Sequence, residues 1–176
     1  MKPISLRVQL GLVAAGYALV LAIATVLVYV RHMQYVNHPE DVAAAGGMYG
    51  GGDLILEIFV GCMLLVPTIL LAIIIRESEN LYTRYSKILL GLSLTAPICL
   101  GVFSIPAVNQ GTMILGEICL DRLFGSPIVV VGLLVSRLLA QFDRAKRLTL
   151  YALLIEVLTL VLTAALFLLP ATTHKG

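Results

Sequence analysis

Val8 to Val30 is a run of 23 residues without a charged side chain, and it limits what this chain can become more than any other feature. A hydrocarbon core about 30 Å thick needs roughly 20 mostly apolar helical residues, because lipid offers no partner to backbone N–H and C=O groups and a helix satisfies its own. Three more runs meet that length. Leu54 to Ile75 is interrupted only by Glu57, Ile88 to Ala107 is uncharged, and Leu148 to Leu169 is interrupted only by Glu156. A fifth run, Pro127 to Ala140, has 14 residues and contains Arg137, so it spans only if continued through Phe142. Ser126 followed by Pro127 gives it a helix start, with a capping hydroxyl and a proline where no N–H is needed.

Composition agrees. The chain is 60% hydrophobic and 12% charged, where soluble domains are about 25% charged. This excludes a water-soluble domain, and the same excess of apolar residues excludes a disordered chain. A net charge of +2 without a basic cluster gives no nucleic-acid surface. The fold expected is an all-α integral membrane helical bundle forming one domain over 1–176. Its spans lie at about 8–30, 54–75, 88–107, 127–142 and 148–169.

Orientation follows from the basic residues, which collect in short cytoplasmic loops. Five crossings with the N-terminus inside place nine of them inside: Lys2, Arg7, Arg76, Arg84, Lys87, Arg137, Arg144, Lys146 and Arg147. Three stay outside, Arg31, Arg122 and Lys175. Four crossings would split them evenly, so five are expected, with the C-terminus outside. Lys2 and Arg7 before an apolar run resemble a secretory signal, but the run continues past Ala22-Ile23-Ala24 to Val30. An uncleaved anchor is therefore expected.

Two connections carry most of the remaining polarity. Residues 37–53 contain five glycines between Gly46 and Gly52 and read as a flexible outer loop that lacks the Lys-Ser/Thr of a phosphate loop. Asp53 is expected to cap span two. Residues 108–125 mix Met113, Ile114, Leu115, Ile118, Leu120, Leu123 and Phe124 with Glu117, Asp121 and Arg122. Glu117 and Asp121, four apart, share a helix face. The segment is expected to lie as an amphipathic helix on the outer surface, with a re-entrant segment lining a cavity as the alternative. Tyr82 and Tyr85 in the inner loop from Arg76 to Lys87 read as interfacial anchors.

Ionisable groups inside spans cost about 2.5 to 3.5 kcal/mol each near the centre and so require partners. Depth counting puts Arg137 and Glu156 on neighbouring helices near the inner face, and an ion pair between them is expected, against the alternative that Arg137 snorkels to the headgroups. Glu57 sits one turn inside span two as a first-turn acid; alternatively it binds a cation or proton together with Asp53. Cys62 and Cys99 read as small buried hydrophobes. His32, His38 and His174 lie outside the spans, where they ligate no haem. Ala14, Ala18 and Ala22, and likewise Gly132, Ser136 and Ala140, recur every four residues, as expected of close helix packing. Pro67, Pro97 and Pro106 interrupt spans two and three, and no inverted repeat is visible.

No paired nucleophile and base stand at matched depth, so no enzymatic activity, metal or cofactor is expected. The expected role is that of a non-enzymatic subunit, scaffold or accessory factor acting by helix association, with the lipid bilayer and a second copy or membrane complex as partners. The alternative is a small oligomeric transporter or ion-conducting subunit using Glu57, Glu156 and Arg137. Compact loops suggest the bacterial cytoplasmic membrane.

Overall fold

The burial pattern is inverted relative to a soluble protein. Serines, threonines, alanines and one glutamate make up much of the inside, while most large aliphatic side chains point out: Ser86, Ser93 and Glu156 are fully buried, whereas Ile88 is 71% and Leu138 76% exposed. Water would penalise such a surface by about 1.5 to 3 kcal/mol per large side chain left exposed. Lipid does not, so the pattern suits a bilayer. Small inward residues let helix backbones approach closely there, where dispersion rather than hydrophobic exclusion drives packing.

The structure, a computed structural model, describes residues 5–105 and 113–168, and every element in them is a helix. In chain order these are α1 (Leu6–Asn37), α2 (Pro39–Ala44), α3 (Gly46–Ile75), α4 (Glu79–Phe103), α5 (Met113–Phe124), α6 (Ser126–Leu139) and α7 (Asp143–Leu168). Helices α1, α3, α4 and α7 are each long and apolar enough to cross a membrane. Helices α5 and α6 pass the same test as a pair bent by 46°. Pro106, residues 108–112, His174 and Lys175, together with Lys2, lie outside the described residues.

The chain divides into two compact units, the first ending at Ile74 and the second beginning at Ile75. In the first, α1 and α3 meet at Gly16, where an added Cβ would stand 3.4 Å from the Pro67 ring. At the next residue of each helix, the Tyr17 and Thr68 hydroxyls are hydrogen-bonded at 2.7 Å. The glycine-rich stretch differs from the expected flexible loop. Pro39 opens the short α2, and α3 starts at Gly46, so all five glycines are helical. Each glycine costs about 1 kcal/mol in a helix, but an unpaired backbone group at the edge of a bilayer costs more.

In the second unit, α7 presents Ala145, Thr149, Ala152, Glu156, Thr159 and Thr163 inward. Those positions alternate by four and three, the spacing of a seam between helices crossing at a shallow angle. The facing stripe on α4 includes Tyr82, Ser86, Ser93 and Ala96. Most of the inward hydroxyls are closed onto their own helices: Ser86 donates to the Tyr82 carbonyl at 2.9 Å, Thr149 to Ala145 at 2.9 Å, and Thr159 and Thr163 each to the carbonyl four residues back at 2.8 Å. A hydroxyl used in this way acts as a small, nearly apolar packing group. Helices α4 and α7 run parallel, since the Phe103 and Phe167 rings near their C-terminal ends are 6.0 Å apart.

Candidate functional site: a buried ion pair beside a broken helix

Helix α5 descends along α4 in the opposite direction, as three levels show. The Cys119 thiol lies within hydrogen-bonding reach of Cys99. Below them, Arg122 Nε donates to Thr95 Oγ1 at 2.9 Å and its Nη2 to the Leu92 carbonyl at 3.3 Å. At the far end of α6, the Tyr82 hydroxyl donates to the Ser136 carbonyl, and the Tyr85 and Ser136 hydroxyls are 2.9 Å apart. Residue numbers fall on α4 as they rise through α5 and α6. The two halves therefore form one continuous antiparallel path, and α5 is not a helix lying across the top of the unit.

The break between the halves has a local cause. Pro127 cannot donate to the Leu123 carbonyl and its ring crowds that oxygen, so the helix is interrupted at Gly125. Gly125 keeps a near-helical φ of −70° and ψ of −14°, and its N–H still reaches the Asp121 carbonyl at 2.9 Å. Ser126 consequently begins α6 as a helical residue without making the expected side-chain cap. Its hydroxyl, fully buried, instead accepts from Arg122 Nη1 at 3.3 Å.

Arg122 is thereby aimed across the break at Glu156. Its Nη1 donates to Oε1 at 2.8 Å and its Nη2 to Oε2 at 3.0 Å, a two-pronged fork that matches guanidinium to carboxylate. Glu156 is fully buried and stands halfway along the 26-residue α7; the Arg122 side chain is 16% exposed. Pro97 on α4 contributes by withdrawing an N–H from the ladder near Ser93, in the stretch where the Leu92 carbonyl also accepts from Thr95 Oγ1 at 2.6 Å. Ser93 Oγ is buried there without a hydrogen-bond partner among the described residues.

The expected Arg137 to Glu156 pair is thus not formed, because Arg122 takes both carboxylate oxygens. Arg137 stays half-buried, with Nη1 enclosed and unpartnered among the described residues. The physical reason is the course of α5. Counting depth with residues 108–125 lying on the outer surface kept Arg122 far from Glu156, whereas the descending path brings it level. Glu117 and Asp121 remain on the exposed side of α5.

A second polar cluster lies in the first unit. Arg31 Nε donates to Asp53 Oδ1 at 2.6 Å, Nη1 to Gln34 at 3.0 Å and Nη2 to the Tyr49 carbonyl at 2.6 Å. The Tyr35 hydroxyl donates to the other Asp53 oxygen. The guanidinium carbon is 5.2 Å from the Tyr35 ring centroid and 4.8 Å from that of Tyr49, within cation–π range. Asp53 is well inside α3 and receives Arg31 rather than capping the helix as expected. Glu57, one turn further, is half-buried.

Gly52 leaves the room Arg31 needs, since an added Cβ would stand 2.8 Å from its Nη2. Gly52→Ala should accordingly be neutral or destabilising alone. With Arg31→Gln already present, it should stabilise by about 0.5 to 1 kcal/mol as the helix gains its better former. Unfolding curves of the four proteins in one detergent measure this coupling, and equal effects of Gly52→Ala in both backgrounds would contradict it.

An apolar cavity of about 190 Å³ lies between α5 and α7, lined by residues including Leu120, Phe124, Leu160 and Phe167. An open polar cleft of about 420 Å³ lies beside Arg31, Gln34, His38 and Tyr49. Among the described residues, no group of three or more metal-ligating side chains converges. Comparison with protein-family models, curated proteins and solved structures finds no match, which leaves the geometry of the two clusters to speak for the chain.

Proposed function

We propose that this chain is a five-crossing integral membrane protein that works without catalysis, as a subunit, scaffold or accessory factor acting through helix association. The observation that carries the reading is the fully buried Glu156, closed by both prongs of Arg122. A carboxylate held by both prongs of an arginine inside a packed seam is committed to a structural partner, which supports a role in packing rather than in catalysis. Association is further supported by Ala14, Ala18 and Ala22, which form an exposed row of small residues on α1. The fifth crossing is the bent α5 and α6 pair. On that reading Arg122 leaves the outer charge tally, and only Arg31 and Lys175 oppose nine inner basic residues. The setting we propose is the bacterial cytoplasmic membrane.

Extraction from native membranes in mild detergent, followed by native electrophoresis, tests association. The chain should migrate in a larger assembly, and Ala18→Leu should release it by at least tenfold, because close helix approach tolerates little added volume. Migration as a monomer, or an assembly indifferent to Ala18→Leu, would count against it.

One observation favours a second reading, a small transporter or ion-conducting subunit that uses Glu57, Glu156 and Arg137. Helix breaks at mid-depth beside charged side chains recur where ions or substrates bind, and the Gly125 break adjoins the Arg122 to Glu156 pair. Reconstituted vesicles would then show proton or cation flux lost in Glu156→Gln; flux at the level of empty vesicles favours association.

A further inference from the structure

Three cysteines occur in the chain, and the fold brings two of them together from opposite sides of the connection between α4 and α5. Cys99 is four residues from the end of α4, and Cys119 is in the middle of α5. The descending register makes them neighbours independently of any one contact. Arg122 is level with Leu92 and Thr95, so one turn earlier on α5 and one turn later on α4 must face each other, and those turns hold the two thiols. Cys119 is buried and Cys99 half-buried, which shields them from solution reagents once the helices have packed. Cys62 is exposed in the other unit.

Their position along the helices matters as much as their proximity. Basic residues crowd the opposite ends, with Arg84 and Lys87 at the start of α4 and Arg144, Lys146 and Arg147 at the start of α7. Basic residues mark the cytoplasmic side. The two cysteines therefore occupy the outer half, toward the compartment in which disulfides form and persist.

We propose that Cys99 and Cys119 form an interhelical disulfide in the membrane-inserted protein, tying the α5 half of the broken helix to α4. Each thiol gives up its hydrogen, an S–S bond forms, and the two electrons and two protons pass to the disulfide of an oxidising thiol–disulfide catalyst, which leaves as a dithiol. Exchange takes place before α5 is seated, when both sulfurs are accessible. The covalent tie then holds Arg122 against Glu156 from the outer side, in a segment whose helix is already interrupted on the inner side by Pro127.

The test uses the full chain expressed in bacterial membranes, acid-quenched, then denatured in SDS with N-ethylmaleimide so that burial protects no thiol. Intact mass should show one adduct, on Cys62, before reduction and three after it. A Cys62→Ser chain should show none before and two after. Three adducts without reduction, or a cross-linked peptide containing Cys62, would overturn the proposal. The native-chain measurement requires no variant to fold.

Discussion

Glu156→Gln lowers the stability of the folded protein by about 3 to 5 kcal/mol, and Arg122→Gln does the same, because each leaves the other member of a buried pair without its charge partner. Replacing both, as Arg122→Met with Glu156→Leu, recovers most of the loss, since two apolar side chains of similar volume need no desolvated charge to be matched. The coupling between the two positions in a double-mutant cycle should thus be large and favourable. Arg137→Gln is the discriminating control. It should shift stability little, and its effect should add to that of Glu156→Gln, because Arg137 does not touch the carboxylate. Steric trapping or SDS unfolding in a fixed detergent measures all of these, and a cycle in which Arg137 rather than Arg122 couples to Glu156 would contradict the geometry.

The second large effect concerns which side of α7 is the inside. Ala152 is fully buried on the seam against α4, and Leu154 is 55% exposed on the opposite face. Ala152→Leu adds volume where two backbones approach and should cost about 1 to 3 kcal/mol or more. Leu154→Ala trims a side chain that meets only lipid in the folded state and should stay within about 0.5 kcal/mol. A water-soluble helix would show the reverse order. Parallel unfolding measurements on the two variants decide the matter, and a larger loss for Leu154→Ala would mean that α7 buries its aliphatic face.

The elements that length alone determines were readable from the residues. Runs such as Val8 to Val30 have one economical conformation in lipid, and each forms most of a long helix; α1 continues past its apolar run to Asn37. The glycine-rich segment was misread because its flexibility in water was weighed without the cost of unpaired backbone at a bilayer edge. The Glu156 partner was misread for a different reason. Arg122 lies in a stretch with Glu117 and Asp121, and three charges within six residues resemble a wetted surface.

A signal to the contrary is present in the spacing. Cys119, Arg122, Leu123 and Ser126 recur at one helix face, with Glu117 and Asp121 falling elsewhere, and the four facing residues are the ones that pack inward. Together α5 and α6 contain 26 residues, about 39 Å of rise, which is enough to cross. Neither the packing of α4 against α7 nor the nearness of Cys99 to Cys119 could be read from depth alone, because depth gives a residue's height in the bilayer and says nothing of which helices are neighbours.

Whether the bent pair crosses is decided by where the two ends of the chain lie. Fusing a reporter that is active only in the cytoplasm to either terminus, paired with one active only outside, should give a cytoplasmic signal at the N-terminus and an external one at the C-terminus. The same side for both ends would mean four crossings. It would remove α5 and α6 from the membrane path, and with them the mid-depth position of the Arg122 to Glu156 pair.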